Sequence, residues 1–167
     1  MRAGRVGTMA TAGDFSVIVG DFNDGFVEAI AETVGEALDS RQRLRVSGTP
    51  EADRILAMAE EGFTDLFVLF LNNVTFGRWG RELEADSFVK ALMLVRHLKA
   101  VYHSPVIATA AFPAEFLYED IAIRLGADCF FRMPFDLKDF TKAVRALFPD
   151  RARPAEDSRP APMQAFR

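Results

Sequence analysis

The sequence has little of what several protein classes require. Its 167 residues include a single cysteine, Cys129, so no internal disulfide can form. The longest apolar run, residues 66–71, is far shorter than the roughly 20 residues of a membrane-spanning helix. The first residues contain two arginines but no apolar stretch of the kind found in a secretory signal peptide. We therefore expect a cytoplasmic protein with no membrane contact.

Positive charge is also scarce. The chain has 20 Lys and Arg residues against 24 Asp and Glu, and the segment 14–149 holds 14 against 21, a balance of −7. Binding to a phosphate backbone depends on clustered cations, so we expect no nucleic-acid partner. Hydrophobic residues make up 50% of the chain, which is enough for a packed core.

Familiar cofactor and metal motifs are missing. The sequence contains no Walker loop, no G-x-G-x-x-G and no G-x-S-x-G. His97 and His103 have no cysteine or carboxylate at ligand spacing, and the loop that starts at Asp21 places its glycine one position too early for a calcium site. We expect neither a cofactor nor a metal ion.

Composition divides the chain into three parts. Residues 1–13 are small, polar or basic without periodicity, and residues 150–167 are rich in proline and arginine. Neither segment can bury enough apolar surface to offset the entropy lost on ordering. We predict a disordered N-terminal arm, one domain over 14–149 and a disordered tail over 150–167.

Within 14–149, short apolar runs alternate with segments of helical periodicity. In the first such helix, Phe26, Ile30 and Val34 recur every four residues. The predicted strands are 17–19, 44–47, 66–71, 105–111 and 129–132. Five strands alternating with five helices indicate an α/β fold, a parallel sheet with helices on both faces, whose ligands bind at the carboxyl ends of the strands.

Three stretches resemble segments of the receiver domain of two-component response regulators. GADCFFRMPFD at 126–136 resembles GAD-x-[FY]-[LI]-x-K-P-F. DLFVLFLN at 65–72 resembles D-L-[VI]-[VL]-[LMI]-D-[LIV]-x, and PVIATAA at 105–111 resembles P-[VI]-[IV]-x-[LM]-[TS]-A. The resemblance covers nearly all of 14–149 in the family's order. It implies a doubly wound, flavodoxin-like sheet of strand order 2-1-3-4-5, and bacterial phosphorelay signalling.

The residues that support phosphoryl transfer in this family are largely replaced. Receivers accept a phosphoryl group on an aspartate, whose position holds Phe70, a residue without a nucleophilic atom. The position of the charge-stabilising lysine holds Met133. The acidic pair after the first strand is reduced to Gly20 and Asp21. The resemblance therefore implies a degenerate pocket, and we predict that the protein is not an enzyme.

Two further positions of this pocket follow from the alignment of the third and fourth strands. The hydroxyl position falls on Ala110, although a shift of one residue in the fourth strand would place Thr109 there. The polar residue nearest after Phe70 is Asn72, an amide and not a carboxylate. Together, Phe70, Ala110 and Met133 are expected to form an apolar plug that removes the repulsion of an acidic cluster.

The resemblance then implies a signalling module that acts by protein–protein binding without phosphorylation. In the family, partners and homodimers meet at the surface formed by helix four, strand five and helix five. The corresponding residues here are Leu117, Tyr118, Arg124, Phe130, Lys138 and Lys142.

The segment between the third strand and the third helix, residues 72–85, is longer than in the family. It carries Trp79 with Arg78 and Arg81, and these residue types are enriched at interfaces. Both a contact with a partner protein and a lid of Trp79 over the strand ends are compatible with this pattern.

Two other functions stay open at this point. One is a small-molecule or nucleotide-binding flavodoxin-like domain with its site near Asp21, Asn72 and Trp79. The other is a phosphorelay response regulator with a nonstandard acceptor.

Overall fold

The computed structural model describes residues 13–111 and 117–153. The strands are β1 (Asp14–Gly20), β2 (Arg43–Gly48), β3 (Leu66–Phe70), β4 (Val106–Ala110) and β5 (Cys129–Arg132). The helices are α1 (Asp24–Ala37), α2 (Ala52–Glu61), α3 (Ser87–Tyr102), α4 (Leu117–Arg124) and α5 (Leu137–Leu147). The predicted arm, except for Gly13, and the predicted tail beyond Arg153 lie outside the described residues.

The strands form one parallel sheet of order β2-β1-β3-β4-β5, which confirms the predicted α/β class and strand order. One face of the sheet packs against α1 and α5, and we call it the α1–α5 face. The other packs against α2, α3 and α4 and is the α2–α4 face. None of the described helices is both long and apolar enough to span a bilayer.

The third strand shows why its sequence is apolar without interruption. Leu66 and Val68 are buried on the α1–α5 face, whereas Phe67 and Leu69 are buried on the α2–α4 face. Successive side chains of a strand point to opposite faces, so a strand covered on both sides needs apolar residues at every position. This strand lies at the centre of the sheet and ends at the edge where the candidate site is located.

Three helices begin at side chains that accept a hydrogen bond from a backbone amide of the first turn. Asn23 caps α1, Asp86 caps α3, and Asp136 caps α5. Such caps satisfy amides that have no partner within the helix, so they fix where each helix starts.

The chain remains attached to the domain beyond the predicted boundary at residue 149. The amide of Asp39 donates to the carbonyl of Arg151, and the amide of Arg153 donates to the carbonyl of Ala37, each at 2.8 Å. The guanidinium of Arg151 also lies 2.6 Å from a carboxylate oxygen of the buried Asp65. Residues 150–153 are thus part of the domain.

Candidate functional site

The alternation of side chains brings the predicted pocket residues of β3 and β4 to one face. Phe70 and Thr109 are register partners at the carboxyl ends of these strands. They lie two residues beyond another register pair, Val68 and Ile107, which packs against α1 and α5. Phe70 and Thr109 therefore belong to the α1–α5 face.

Asp21 and Met133 extend β1 and β5 to the same edge. Asp21 directly follows Gly20 and is 2% exposed, whereas Met133 is half-buried and its amide donates to the carbonyl of Ala110 at 2.9 Å. The four side chains at this corner thus comprise one carboxylate, one hydroxyl and two apolar groups. None of the four is a cation that could balance a transferred phosphoryl group.

Phe70 fills the acceptor position with an aromatic contact. Its ring centroid lies 5.6 Å from that of Phe26 in the first turns of α1, and the two rings are tilted by 40°. This pair covers the strand end from the α1 side. The position contains only carbon and hydrogen in its side chain, so it offers no oxygen on which an acyl phosphate can form.

The assignment of the hydroxyl position to Ala110 is wrong. Ala110 is buried in the core of the α2–α4 face, because it is one residue out of phase with the register pair of Phe70 and Thr109. Thr109 supplies the hydroxyl on the pocket's face, and its Oγ1 is buried without a hydrogen-bond partner among the described residues. Thr109 therefore stands where the predicted apolar plug had Ala110, and its hydroxyl makes this position polar.

Asp21 is held by neutral donors on one of its two oxygens. Its Oδ1 accepts from the amide of Phe22 at 2.7 Å, the amide of Asn23 at 3.3 Å and Nδ2 of Asn73 at 2.9 Å. Its Oδ2 is buried and has no hydrogen-bond partner in the part of the chain that the structure describes. Asn73 was not among the predicted pocket residues, since nothing in its sequence context distinguishes it from the neighbouring Asn72.

Asn72 has a different contact. Its Nδ2 donates to the carbonyl of Ala111 at 3.3 Å, and the amide of Ala111 donates to its Oδ1 at 2.8 Å. This reciprocal pair ties the end of β3 to the end of β4. Asn72 is thus a link between strands, and it is Asn73 that reaches the carboxylate of Asp21.

Gly20 occupies a tightly packed position at the end of β1. A Cβ atom there would lie 2.8 Å from Cδ2 of Leu69 and 3.1 Å from Cδ1 of Ile55. A carboxylate at this position would therefore require the ends of the Leu69 and Ile55 side chains to shift. Across residues 13–111 and 117–153, no group of three or more His, Cys, Asp or Glu is arranged to hold a metal ion.

The predicted partner surface on α4, β5 and α5 is partly exposed. Tyr118 packs edge-on against Phe88 with ring centroids 4.6 Å apart, and Phe130 is half-buried against the α2–α4 core. Exposed side chains include Arg124, Lys138 and Lys142, and Lys142 lies 3.6 Å from a carboxylate oxygen of Asp139. The side chain of Leu117 lies outside the described residues.

Three further apolar side chains of this surface were not predicted from the sequence. Ile121 and Ile123 on α4 and Leu137 at the start of α5 are all exposed. The helical pattern did not reveal them, because apolar residues on a short helix are usually assigned to its buried side.

The long loop after β3 folds onto α2 and α3. The amides of Arg78 and Trp79 each donate to the carboxylate of Asp53, near the start of α2, at 2.7 Å. These bonds, the one from Trp79 foremost, hold the pKa of the Asp53 carboxyl below its ordinary value. A Cβ atom at Gly77 would collide with the same carboxylate, so the close approach requires glycine.

The indole of Trp79 packs beside α3. Its ring centroid is 5.8 Å from that of His97 on α3 and 6.0 Å from that of Phe76 within the loop. Trp79 therefore does not form the lid over the strand ends that one of the two interpretations of this loop expected. Arg78 and Arg81 are exposed beside it.

Comparison with known proteins gives a match at the level of structure alone. No protein-family model matches the sequence, and no curated protein matches it. A response regulator from Thermotoga maritima is similar with a TM-score of 0.62 and 14% identity, over 81% of this chain and 98% of that chain. An orphan response regulator of H. pylori gives 0.57 and 15%, over 80% and 95% of the two chains.

A receiver domain protein from Methanospirillum hungatei is similar to a comparable degree. Its TM-score is 0.59 at 12% identity, over 81% of this chain and 94% of that chain. At such identities the likeness concerns the arrangement of the backbone and not the chemistry of the site. The chain has the fold of a response-regulator receiver domain.

Proposed function

We propose that this protein is a pseudo-receiver, a response-regulator-like signalling module that acts by binding protein partners and receives no phosphoryl group. The observation that carries the proposal is Phe70 at the end of β3, packed against Phe26 where the family resemblance expects the acceptor aspartate. Without an oxygen nucleophile the acyl phosphate cannot form. Met133 likewise brings no cation to stabilise the transferring group.

The fold similarity to response regulators supports a signalling role. A fold alone does not specify chemistry, so the loss of phosphorylation is argued from the pocket residues. The proposal makes the module non-enzymatic, and its output then depends on the surfaces that it offers to other proteins.

The first test is incubation with acetyl phosphate and Mg²⁺ followed by intact mass measurement. The wild-type chain is expected to gain no phosphoryl mass. The variant F70D/M133K, which reinstates the carboxylate and the cation, is expected to gain one. The matched control is F22D/M133K, because Phe22 is 64% exposed and lies in the loop after β1.

A phosphoryl group on the wild-type chain would contradict the proposal and favour the nonstandard acceptor. Phosphorylation of F22D/M133K to the same extent as F70D/M133K would show that the site at β3 was wrongly located. Circular dichroism of each variant establishes that it is folded before the masses are compared.

We also propose that the surface of α4, β5 and α5 is the contact surface, for a partner or for a second copy of this chain. Ile121 and Ile123 are exposed on α4 beside the cation of Arg124, and Leu137 is exposed near Lys138. Apolar side chains together with arginine are typical of interfaces.

Light scattering after size-exclusion chromatography tests the homodimer. If the chain is dimeric through this surface, I123E is expected to be monomeric. The control V101E places the same charge at an equally exposed apolar residue near the end of α3, 43% exposed against 44% for Ile123. A wild-type monomer at all concentrations would contradict a homodimer, and equal dissociation of both variants would contradict the assigned surface.

A further inference from the structure

The long loop and α3 enclose an open groove on the side of the domain. Its volume is about 650 Å³, within the range of small-molecule sites. One wall consists of loop residues 78–83 and the other of a stripe on α3, from Met93 through Arg96 and His97 to Ala100. The pocket residues at the ends of the strands are not among those that line it.

Positive charge is concentrated in this groove. Arg78, Arg81 and Arg96 line it, against one carboxylate, that of Glu82. In the described part of the chain, none of the three guanidinium groups makes an ion pair within 4.0 Å. Asp53 offsets part of their charge, since Arg78 and Arg81 contribute to its lowered pKa. A local excess of arginine on a domain of net charge −7 suits a ligand with several negative oxygens.

The groove also offers a flat apolar surface that is already fixed in place. Trp79 lines the groove and is half-buried, its ring neighbours are Phe76 and His97, and the amides of Arg78 and Trp79 donate to Asp53. These contacts position the indole and the start of the arginine cluster before a ligand arrives. Such preorganisation reduces the entropy that binding would cost.

The size of the groove indicates whether it suits a small molecule or a protein partner. The stripe from Met93 to Ala100 covers eight residues and rises about 10 Å along α3. About three residues of extended peptide would span this length. A stable protein contact buries about 800 Å² on each partner, far more than this wall offers. The dimensions therefore favour a compact ligand.

We infer that this groove binds a nucleotide, an anion that joins phosphate groups to a planar base. Its phosphate oxygens would contact Arg78, Arg81 and Arg96, and its base would stack on the indole of Trp79. Of the three residues that the sequence suggested for a nucleotide site, only Trp79 lies here. The inference does not depend on the proposed function, because the groove is separate from the degenerate pocket and from the surface of α4, β5 and α5.

The test is a two-dimensional NMR titration of the full chain at low ionic strength with three probes. ATP, inorganic tripolyphosphate and adenosine separate the contributions of the charge and of the ring. ATP is expected to shift the amides of residues 78–83 and 93–100 and the indole resonance of Trp79. Tripolyphosphate is expected to shift the same region at higher concentration, and adenosine to bind most weakly.

Two variants and one control make the result specific. R96Q, an exposed residue of α3, is expected to weaken ATP binding at least about tenfold, the effect of one lost charged hydrogen bond. W79L is expected to weaken the binding of ATP but not of tripolyphosphate. R43Q removes an exposed arginine of β2 that lies outside both the groove and the surface of α4, β5 and α5, and it is expected to leave ATP binding unchanged.

Three outcomes would overturn the inference. They are the absence of groove shifts with ATP, equal ATP affinity in R96Q and R43Q, and shifts confined to the strand ends around Asp21. Groove shifts with polyglutamate but not with ATP would also overturn it and would assign the groove to an acidic peptide. The phosphorylation test above uses no nucleotide, so its failure and the failure of this inference are distinguishable.

Discussion

At the scale of single residues, the site is defined by Gly20 and Phe70, which occupy positions where the resemblance to receiver domains leads us to expect carboxylates. Gly20 and Leu69 are register partners, so Asp21 and Phe70 lie side by side on adjacent strands. Gly20 brings no carboxylate to the tightly packed end of β1, and the aromatic pair of Phe70 and Phe26 stands where the resemblance places another. A carboxylate at residue 70 would stand about 5 Å from the backbone of β1, beside the buried Asp21.

This arrangement predicts the sign of a charge effect at residue 70. F70D and F70N both lose the aromatic contact, but only F70D adds a charge beside Asp21. F70D is expected to be less stable than F70N by about 2 kcal/mol at neutral pH, because like charges at this separation repel. Urea unfolding with and without Mg²⁺ measures the difference, which Mg²⁺ is expected to reduce. Equal stability of the two variants would contradict the arrangement.

A second residue-scale prediction concerns Asp53 and pH. Its pKa in the folded chain lies below the ordinary value of 3.8, first through the amide of Trp79 and then through that of Arg78. The ionised carboxylate of Asp53 stabilises the loop fully at a pH above the ordinary pKa. This stabilisation is lost as the pH falls through the lower pKa of the folded chain. The fluorescence of Trp79 is therefore expected to change below about pH 4.

The variant D53N provides the comparison. It is expected to remove the acid transition of Trp79 fluorescence and to speed hydrogen exchange at the amides of residues 78 and 79. D139N, an exposed carboxylate of α5, serves as the control and is expected to leave both unchanged. The persistence of the same acid transition in D53N would assign it to another group.

At the scale of elements, Arg151 joins the end of the chain to the amino-terminal side of the sheet. Its guanidinium pairs with Asp65, which precedes β3 and also accepts from the amide of Ser16 at 2.8 Å. The same guanidinium lies 5.4 Å from the ring centroid of Phe15. Composition alone predicted disorder from residue 150 onward. It could not reveal the attachment of residues 150–153, because one long-range ion pair leaves no trace in local composition.

This contact predicts unequal effects for two arginines of the same segment. R151L leaves the buried carboxylate of Asp65 without its cation and is expected to lower the free energy of unfolding by about 2 kcal/mol. R153L changes an exposed side chain and is expected to have an effect within about 0.5 kcal/mol. Urea denaturation of both variants makes the comparison, and equal losses would contradict the structural role of Arg151.

The elements also show how far the sequence alone leads. The unbroken apolar run of β3 and the alternation of strands and helices were sufficient for the fold class, whereas the strand order was implied by the resemblance to receiver domains. The choice between Thr109 and Ala110 was not, because a motif tolerates an offset of one residue, whereas strand pairing does not. The contact of Asp53 with Arg78 and Trp79 joins residues 25 and 26 positions apart, a separation that helical periodicity cannot detect.

At the scale of the whole molecule, three regions have separate chemistry. The strand ends carry the degenerate pocket, α4 and α5 carry exposed apolar and basic side chains, and the side of α3 carries the arginine-lined groove. A module without phosphorylation needs another way to change its state or its partners. We propose that the surface of α4, β5 and α5 binds a protein partner and that the groove binds a nucleotide, which can change that state.

We propose above all that the pocket at the strand ends neither forms an acyl phosphate nor binds a mimic of one. The most direct measurement is an NMR titration of the full wild-type chain with Mg²⁺ and then beryllofluoride, which imitates a phosphorylated aspartate. Our account predicts no saturable shifts at residues 20–21, 70–73, 109 and 133. Saturable shifts confined to those residues would contradict it and would require a hidden acceptor in the pocket.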